Sequence, residues 1–436
     1  MLTRRAVLRA AGAAATGLAS AAVVAGCTGD PDPMPAPTFN PRDWDSVRGQ
    51  FELDPALAHF AAFVFASHPA PVRAAIDRFR SELDRDPYGY LGRAEAGNDD
   101  AVLAAAARYL DTAADQIALT DSTTMGLGLL YAGLRLRPGD EILTTEHDFY
   151  STHESLRLRA VRDGATVRRV RLYDEPARAD ADGMVGRLRA AVTSATRIVA
   201  VTWVHSSTGV KLPVRRISDA LAELNRDRAE ADRALLCVDG VHGFGAEGVP
   251  PGQLGCDFLV SGCHKWLFGP RGTGFVWGRA EAWNRYAPVI PSFSVDGIDG
   301  WLSGRAPSGP PGPLATPGGY HSFEHRWALA PAFDLHAAIG PARVADRTHQ
   351  LATALKDGLA ALPRVTLHTP RSTDLSAGVV TCEIAGVAPR AAVGRLTELK
   401  VSASVTPYAT PYLRFGTSFL VSEADVDRAL SAVRQL

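Results

Sequence analysis

The chain has 436 residues, with 46 Lys and Arg against 47 Asp and Glu and a formal net charge of -1. Charges so evenly matched, with no run of basic residues, exclude an electrostatic nucleic-acid binder. Five cysteines, scattered and mostly within apolar runs, exclude a disulfide scaffold and carry no zinc spacing, so no metal is expected.

At the start, Thr3-Arg4-Arg5-Ala6-Val7-Leu8-Arg9 precedes an Ala-rich apolar run that ends at Ala25. Charge, then a short apolar run, then small residues is the order of a secretory signal. The arginine pair points to the twin-arginine (Tat) translocon, which carries folded proteins. The run is too short and too rich in Ala to span a membrane comfortably. Val24-Ala25-Gly26-Cys27 has the form of a bacterial lipobox, which would make Cys27 a lipidated N-terminus; simple cleavage after small residues is the alternative. Residues 1–27 are thus read as signal and 28–41 as a Pro-rich tether. The expected location is the cell envelope, as a lipid-anchored protein at the membrane or else periplasmic or secreted.

Residues 42–80 are expected to pack with a C-terminal domain, and 81–329 to form the large domain. Within the latter, Glu141 to Thr145, Thr196 to Val204, Ala234 to Val238, Phe258 to Ser261 and Gly274 to Trp277 read as strands. Helical patterns cover Gly126 to Leu136, Ser151 to Arg162, Met184 to Thr193 and Ile217 to Asn225. This alternation predicts parallel strands with crossover helices, an α/β domain whose ligand lies at the carboxyl ends of the strands. Asp296 to Gly319 is dense in Gly and Pro and reads as a long functional loop. Residues 330–436 read as a smaller α+β domain. Its helices are Ala342 to Leu362, Arg390 to Leu399 and one opened by a Ser422/Asp425 capping box, with strands at Gly378 to Ile384 and Tyr412 to Thr417.

Four segments carry chemistry. Lys265, in Ser261-Gly262-Cys263-His264-Lys265-Trp266-Leu267-Phe268-Gly269-Pro270, follows an apolar strand and is followed by bulky apolar residues. Burial disfavours its ammonium form, and an amine so depressed can form a Schiff base. Asp239 ends the strand Ala234-Leu235-Leu236-Cys237-Val238, where it either caps the next helix or faces a ligand. A carboxylate there would hold a pyridine nitrogen protonated. At about 4 Å and an effective dielectric near 20 the attraction is roughly 4 kcal/mol, about three pKa units before desolvation. Ser122, Thr123 and Thr124 open a helix after Ile117-Ala118-Leu119 and serve equally as a helix cap or a phosphate cradle. His147, in Thr145-Glu146-His147-Asp148, sits past a strand end, where it is either a core histidine or a ring stacked on an aromatic cofactor.

Phosphate cradle, histidine, aspartate and lysine in that order resemble the class V aminotransferase and cysteine desulfurase superfamily of fold-type I pyridoxal 5′-phosphate (PLP) enzymes. The likeness runs from about Phe60 to the C-terminus. Pro317-Gly318-Gly319-Tyr320-His321-Ser322-Phe323-Glu324-His325-Arg326-Trp327 is similar to the isopenicillin N epimerase-like branch in particular. That branch includes hercynylcysteine sulfoxide lyases and a Tat-exported enzyme of pyoverdine maturation. The resemblance implies a large domain with a mainly parallel seven-stranded sheet flanked by helices, a small C-terminal domain and a homodimer.

It also implies roles. Lys265 corresponds to the Schiff-base lysine and Cα proton shuttle, Asp239 to the partner of the pyridine nitrogen, and His147 to the ring on the cofactor. Ser122, Thr123, Thr124 and His264 correspond to phosphate contacts, and His242 and Ser206 to polar neighbours of the phenolic oxygen. Arg414 corresponds to the arginine that pairs with a substrate carboxylate, a task for a planar fork. Two features of the family are missing. The loop with a catalytic cysteine has no counterpart, since Cys382 lies in a strand-like run, and this disfavours a persulfide-forming desulfurase. The Gly-Thr clamp from a neighbouring subunit is also absent near residues 333–338, with Gly318, Gly319 and Tyr320 as substitutes. The expected activity is an aminotransferase-like reaction on an amine-bearing metabolite or peptide, then C–S lyase, then epimerase. A lipid-anchored binding protein on a degenerate PLP fold is the non-enzymatic alternative.

Overall fold

The computed structural model describes residues 38–436; the signal segment, Cys27 and most of the tether lie outside the described residues. A short strand, β1 (Ala58–His59), precedes the main sheet, which comprises β2 (Ile117–Thr120), β3 (Glu141–Thr145), β4 (Thr166–Val170), β5 (Thr196–Thr202), β6 (Leu235–Asp239), β7 (Phe258–Gly262) and β8 (Gly274–Gly278). Their order is β2-β8-β7-β6-β5-β3-β4, parallel except for β8, which runs against both neighbours. The expected seven-stranded, mainly parallel sheet is therefore observed.

Burial explains which strands were readable. β5, β6, β7 and β8 are buried along their whole length, as strands covered on both faces must be, and their apolar runs announce them. Edge strand β4 (TVRRV) is largely solvated and two of its five residues are arginines, so it has no apolar signature. Two apolar clusters sandwich the sheet. One, containing Leu143, Val199, Val238 and Phe275, also takes Val72 and Phe79 from the helix Ala70–Arg85 and Val102 from the helix Pro87–Leu110. The helix Leu329–Ile339 buries Leu329, Ala332 and Phe333 in the same cluster, which carries the main core through residue 333. The other cluster holds Leu127, Ile142, Ile198 and Val260.

β9 (Val365–Leu367), β10 (Val379–Ile384), β11 (Val401–Ser402), β12 (Ser404–Val405) and β13 (Leu413–Gly416) follow. Four of them form an antiparallel sheet, β12-β13-β10-β9, while β11 pairs with β1. A separate apolar cluster joins Phe60 to Leu355, Val380, Phe415 and Val426. The final helix, Glu423–Val433, has the anticipated capping box. The Gly/Pro-dense stretch contains two short helices, Val295–Leu302 and Pro311–Ala315.

Strand order fixes where a ligand can sit. From β3 the chain steps outward to β4, then returns to place β5 on the other side of β3. Connections on the two sides of this switch point diverge, opening a crevice at the carboxyl ends.

Candidate active site

A cavity of about 240 Å³ occupies that crevice. Ser122, Thr123 and Thr124 line it after β2, Phe149 and Ser151 after β3, Thr202 and Ser206 at and after β5, Asp239, Val241 and His242 at and after β6, and His264 and Lys265 after β7. The N-terminal segment adds Phe63 and Val64, and the C-terminal part adds Pro407 and Arg414.

Lys265 rides on a tight turn. Gly269 N donates to Cys263 O at 2.9 Å, and Phe268, three residues past the lysine, has φ 56°. A bulky residue holds the left-handed region only when its surroundings over-determine it. Here the Phe268 ring is locked edge-on against Phe51 and Phe419, at 5.4 and 5.0 Å. Burial presses the Lys265 pKa down; Asp239 opposes that shift and Arg414 adds to it. Lys265 Nζ makes no hydrogen bond or ion pair among the described residues, so its lone pair, once deprotonated, is uncommitted.

Asp239 is buried at the end of β6 and takes the N–H of Val241 at 3.0 Å. Burial raises its pKa, while that hydrogen bond and Lys265 hold it back. The Thr152 hydroxyl beside it also holds the pKa back, and the carboxylate faces the cavity, which suits it to meet a cationic ring nitrogen.

The helix Thr123–Gly133 points its start at the cavity. Ser122 caps it by accepting from Met125 N at 3.1 Å, leaving first-turn N–H groups for an anion. Thr123 Oγ1 accepts from Gly262 N at 2.7 Å, and a Cβ on Gly262 would come within 2.9 Å of the His264 ring. A side chain there would push the His264 ring out of its place beside the cradle. His264 lines the cavity beside this cradle, where burial and Lys265 lower its pKa and the Thr273 backbone opposes that shift. Cradle, carboxylate and uncommitted amine together fit PLP.

His147 is a correction. It does not line the cavity: its ring stacks on Tyr173 at 3.8 Å and 9°, and its Nε2 accepts from Leu172 N at 3.2 Å. The cause is Asp148, whose buried carboxylate takes hydrogen bonds from Thr144 Oγ1 (2.7 Å), Thr145 N (2.8 Å) and Thr202 N (2.7 Å). These bonds tie the turn to β5, and the ring that reaches the cavity is Phe149. Phe149 lies only two residues past His147, and its aromatic ring just beyond the same strand is the signal the sequence carries for it. Phe63 and Val64 carried no signal at all, because tertiary packing alone brings them from a distant segment.

Arg414, on β13, is buried and has no carboxylate partner among the described residues. It donates to Ser206 Oγ and, at 3.1 Å, to Ser404 Oγ, and sits 5.2 Å from the Phe63 ring centre. Burial lowers its pKa to about 10, which leaves it cationic at neutral pH. A buried cation without a counter-ion is costly unless a ligand supplies one. Gly318, Gly319 and Tyr320 lie outside this cavity, along grooves shared with His321 and Arg326. All four described cysteines are buried and none lines the cavity.

Comparison with known proteins agrees with this architecture. The model of the Aminotransferase class-V family matches residues 101–406. Isopenicillin N epimerase of Streptomyces clavuligerus is 26% identical over 408 residues, covering 90% of this chain and 98% of that protein. A cysteine desulfurase of Serratia proteamaculans is 25% identical over 345 residues, covering 75% and 80%. Among solved structures, a C-DES mutant with glycine covalently linked to its PLP cofactor superposes with TM-score 0.79 at 21% identity, covering 89% of this chain and 99% of that one. The cysteine desulfurase of Thermococcus onnurineus NA1 gives 0.75 at 20%, covering 90% and 97%.

Proposed function

Given that this chain belongs to the class V aminotransferase family and is a PLP-dependent enzyme, we propose that it acts on the primary amine of an amino acid, an amino-acid derivative or a peptide in an aminotransferase-type reaction. The observation that carries this reading is an uncommitted Lys265 amine facing buried Asp239, with Arg414 awaiting a carboxylate in the same cavity.

Ser122, Thr123, Thr124 and His264 would hold the cofactor's phosphate, and Lys265 Nζ would hold its aldehyde carbon. Phe149 would cover the ring, Asp239 would keep the ring nitrogen protonated, and Ser206 and His242 would supply polar contacts beside it. When bound, PLP supplies an electron-poor ring that accepts the electron pair left at the substrate Cα. Arg414 fixes the substrate carboxylate by a two-pronged hydrogen bond, which orients the Cα–H bond. Lys265 Nζ, set free once the substrate amine has replaced it at the aldehyde carbon, then takes the Cα proton as general base. Elimination and epimerisation share these steps, and similar proteins named as an epimerase and as a cystine C-S lyase keep both as alternatives. A persulfide on the enzyme is not proposed, since no cysteine lines the cavity among the described residues.

The test is direct. Purified protein should show a visible cofactor band, lost in Lys265→Ala, and borohydride should attach a pyridoxyl group to Lys265. A colourless protein that stays colourless with added PLP sinks the reading. A panel of amine donors, scored for pyridoxamine phosphate against pyruvate or ammonia, separates transfer from elimination.

Two further readings belong to the proposal. A homodimer is supported by the exposed apolar side chains Val64, Phe65, Met125 and Tyr150, which lie on or next to cavity-lining residues. It is also supported by Gly318, Gly319 and Tyr320, which do not reach the cavity of their own chain. Sedimentation that gives a monomer would refute it. Tat export with a lipid on Cys27 is supported by the arginine pair and the Val24-to-Cys27 motif. Unchanged envelope localisation after deletion of residues 1–27 would remove its basis.

A further inference from the structure

Trp266 directly follows the cavity lysine yet does not line the cavity. It is buried in a small cluster with Phe63, Ala246 and Val379, where residues from three distant parts of the chain meet. Its ring stacks on Phe63 at 5.1 Å and 28°. The fit allows no side chain at Gly378, where a Cβ would come within 2.5 Å of the indole. The indole is therefore held in one orientation.

In that orientation Trp266 Nε1 donates to His242 Nδ1 at 3.2 Å. An indole N–H can only donate, so the imidazole nitrogen opposite it must be bare. A neutral imidazole carries one proton, which then sits on Nε2. His242 does line the cavity, and Nε2 is its remaining polar atom; no other hydrogen bond to this ring exists among the described residues. Phe63 meets the imidazole edge-on at 5.7 Å and closes off another side. The charged form is opposed by burial and by the nearby Lys265 and Arg414 cations, which hold the pKa well below the ordinary histidine value.

We infer that Trp266 is a positioning residue: its indole N–H holds His242 as the Nε2–H tautomer, so this histidine meets a bound ligand as a hydrogen-bond donor to oxygen and not as a base. The inference deepens the proposed function, and in its ligand it rests on that reading. The oxygen served is an acceptor on the cofactor or on the substrate. A bare Nε2 there would instead repel the lone pairs of the same oxygen.

The experiment is nitrogen NMR of protein labelled only at histidine, with His242→Gln identifying the His242 signals. In the native protein Nδ1 is expected to be unprotonated and Nε2 protonated, and in Trp266→Phe the proton should redistribute toward Nδ1. A native spectrum with the proton on Nδ1 overturns the proposal, and so does an unchanged His242 in Trp266→Phe. Should Trp266→Phe not fold, the native spectrum alone decides. Cofactor affinity gives a second readout. Trp266→Phe should weaken it roughly five-fold when His242 is present, about one net hydrogen bond. On a His242→Gln background, where the amide donates without a tautomer to set, the loss should be under about two-fold. Equal losses on both backgrounds reject the assigned role. The expected tautomer in a protein that binds no PLP would sink the cofactor reading and leave this one standing.

Discussion

Two lysines in this molecule are enclosed and pressed below the ordinary lysine range by burial, and they have opposite fates. Lys356, on the helix Pro341–Ala360, is pushed to about 8 yet is fully engaged by Pro370 O (3.0 Å), Arg371 O (2.8 Å) and Ser376 Oγ (2.6 Å). Lys265 is lowered in the same direction, has no such partners, and opens onto a cavity. Desolvation alone therefore does not make a nucleophile. It does so where the surroundings leave the nitrogen without a hydrogen-bonding task and provide room for a reactant.

The sharpest way to break this comparison is to remove each lysine. Lys265→Ala is expected to lower turnover roughly 10³-fold or more while the melting temperature changes little. Lys356→Met should do the reverse. It strands buried oxygens at about 1–3 kcal/mol, seen in thermal unfolding, and leaves the visible cofactor band intact. A Lys356 variant that loses the band but not stability would erase the distinction.

Next in size, Asp239→Ala should retain some cofactor but lose about 10²- to 10³-fold in turnover, in keeping with an attraction of roughly 4 kcal/mol at the ring nitrogen. Near-normal rates would take Asp239 out of the site.

A smaller effect tests the electrostatics of the pair. Condensation requires the neutral amine, so the rate of cofactor uptake should rise with pH and level off below the value of about 10.4 that an ordinary lysine shows. Asp239 raises the Lys265 pKa. Removing that carboxylate should therefore move the uptake profile of Asp239→Ala toward lower pH. A shift upward, or none, would show that the two groups do not face each other.

The smallest expected change separates two aromatic neighbours of β3. Phe149→Leu should weaken cofactor binding by about 0.5–1.5 kcal/mol, the value of a ring contact, and His147→Ala by less. A titration giving the opposite order would restore His147 to the cofactor face.

Much of this was readable in the chain itself. Apolar runs such as Leu235–Asp239 and Phe258–Gly262 can satisfy burial on both faces only as inner parallel strands, and they bring Asp239 and Lys265 to their carboxyl ends. The helix opened by Ser122 was legible because capping chemistry is local. β4 was not, because a solvated edge strand needs no apolar code. The direction of His147 was not either. It depends on Asp148 reaching Thr202, 54 residues away, and local pattern carries no record of such a bond.

The amino-acid sequence by itself determined the α/β class, the family likeness and the residues that end the central strands, because periodicity and caps act over a few neighbours. Tertiary structure alone decided which ring reaches the cavity, which buried lysine keeps a free lone pair, and that Trp266 meets His242. Those outcomes turn on hydrogen-bond partners and van der Waals fit between segments tens to hundreds of residues apart. Such partners exist only once the chain has closed on itself.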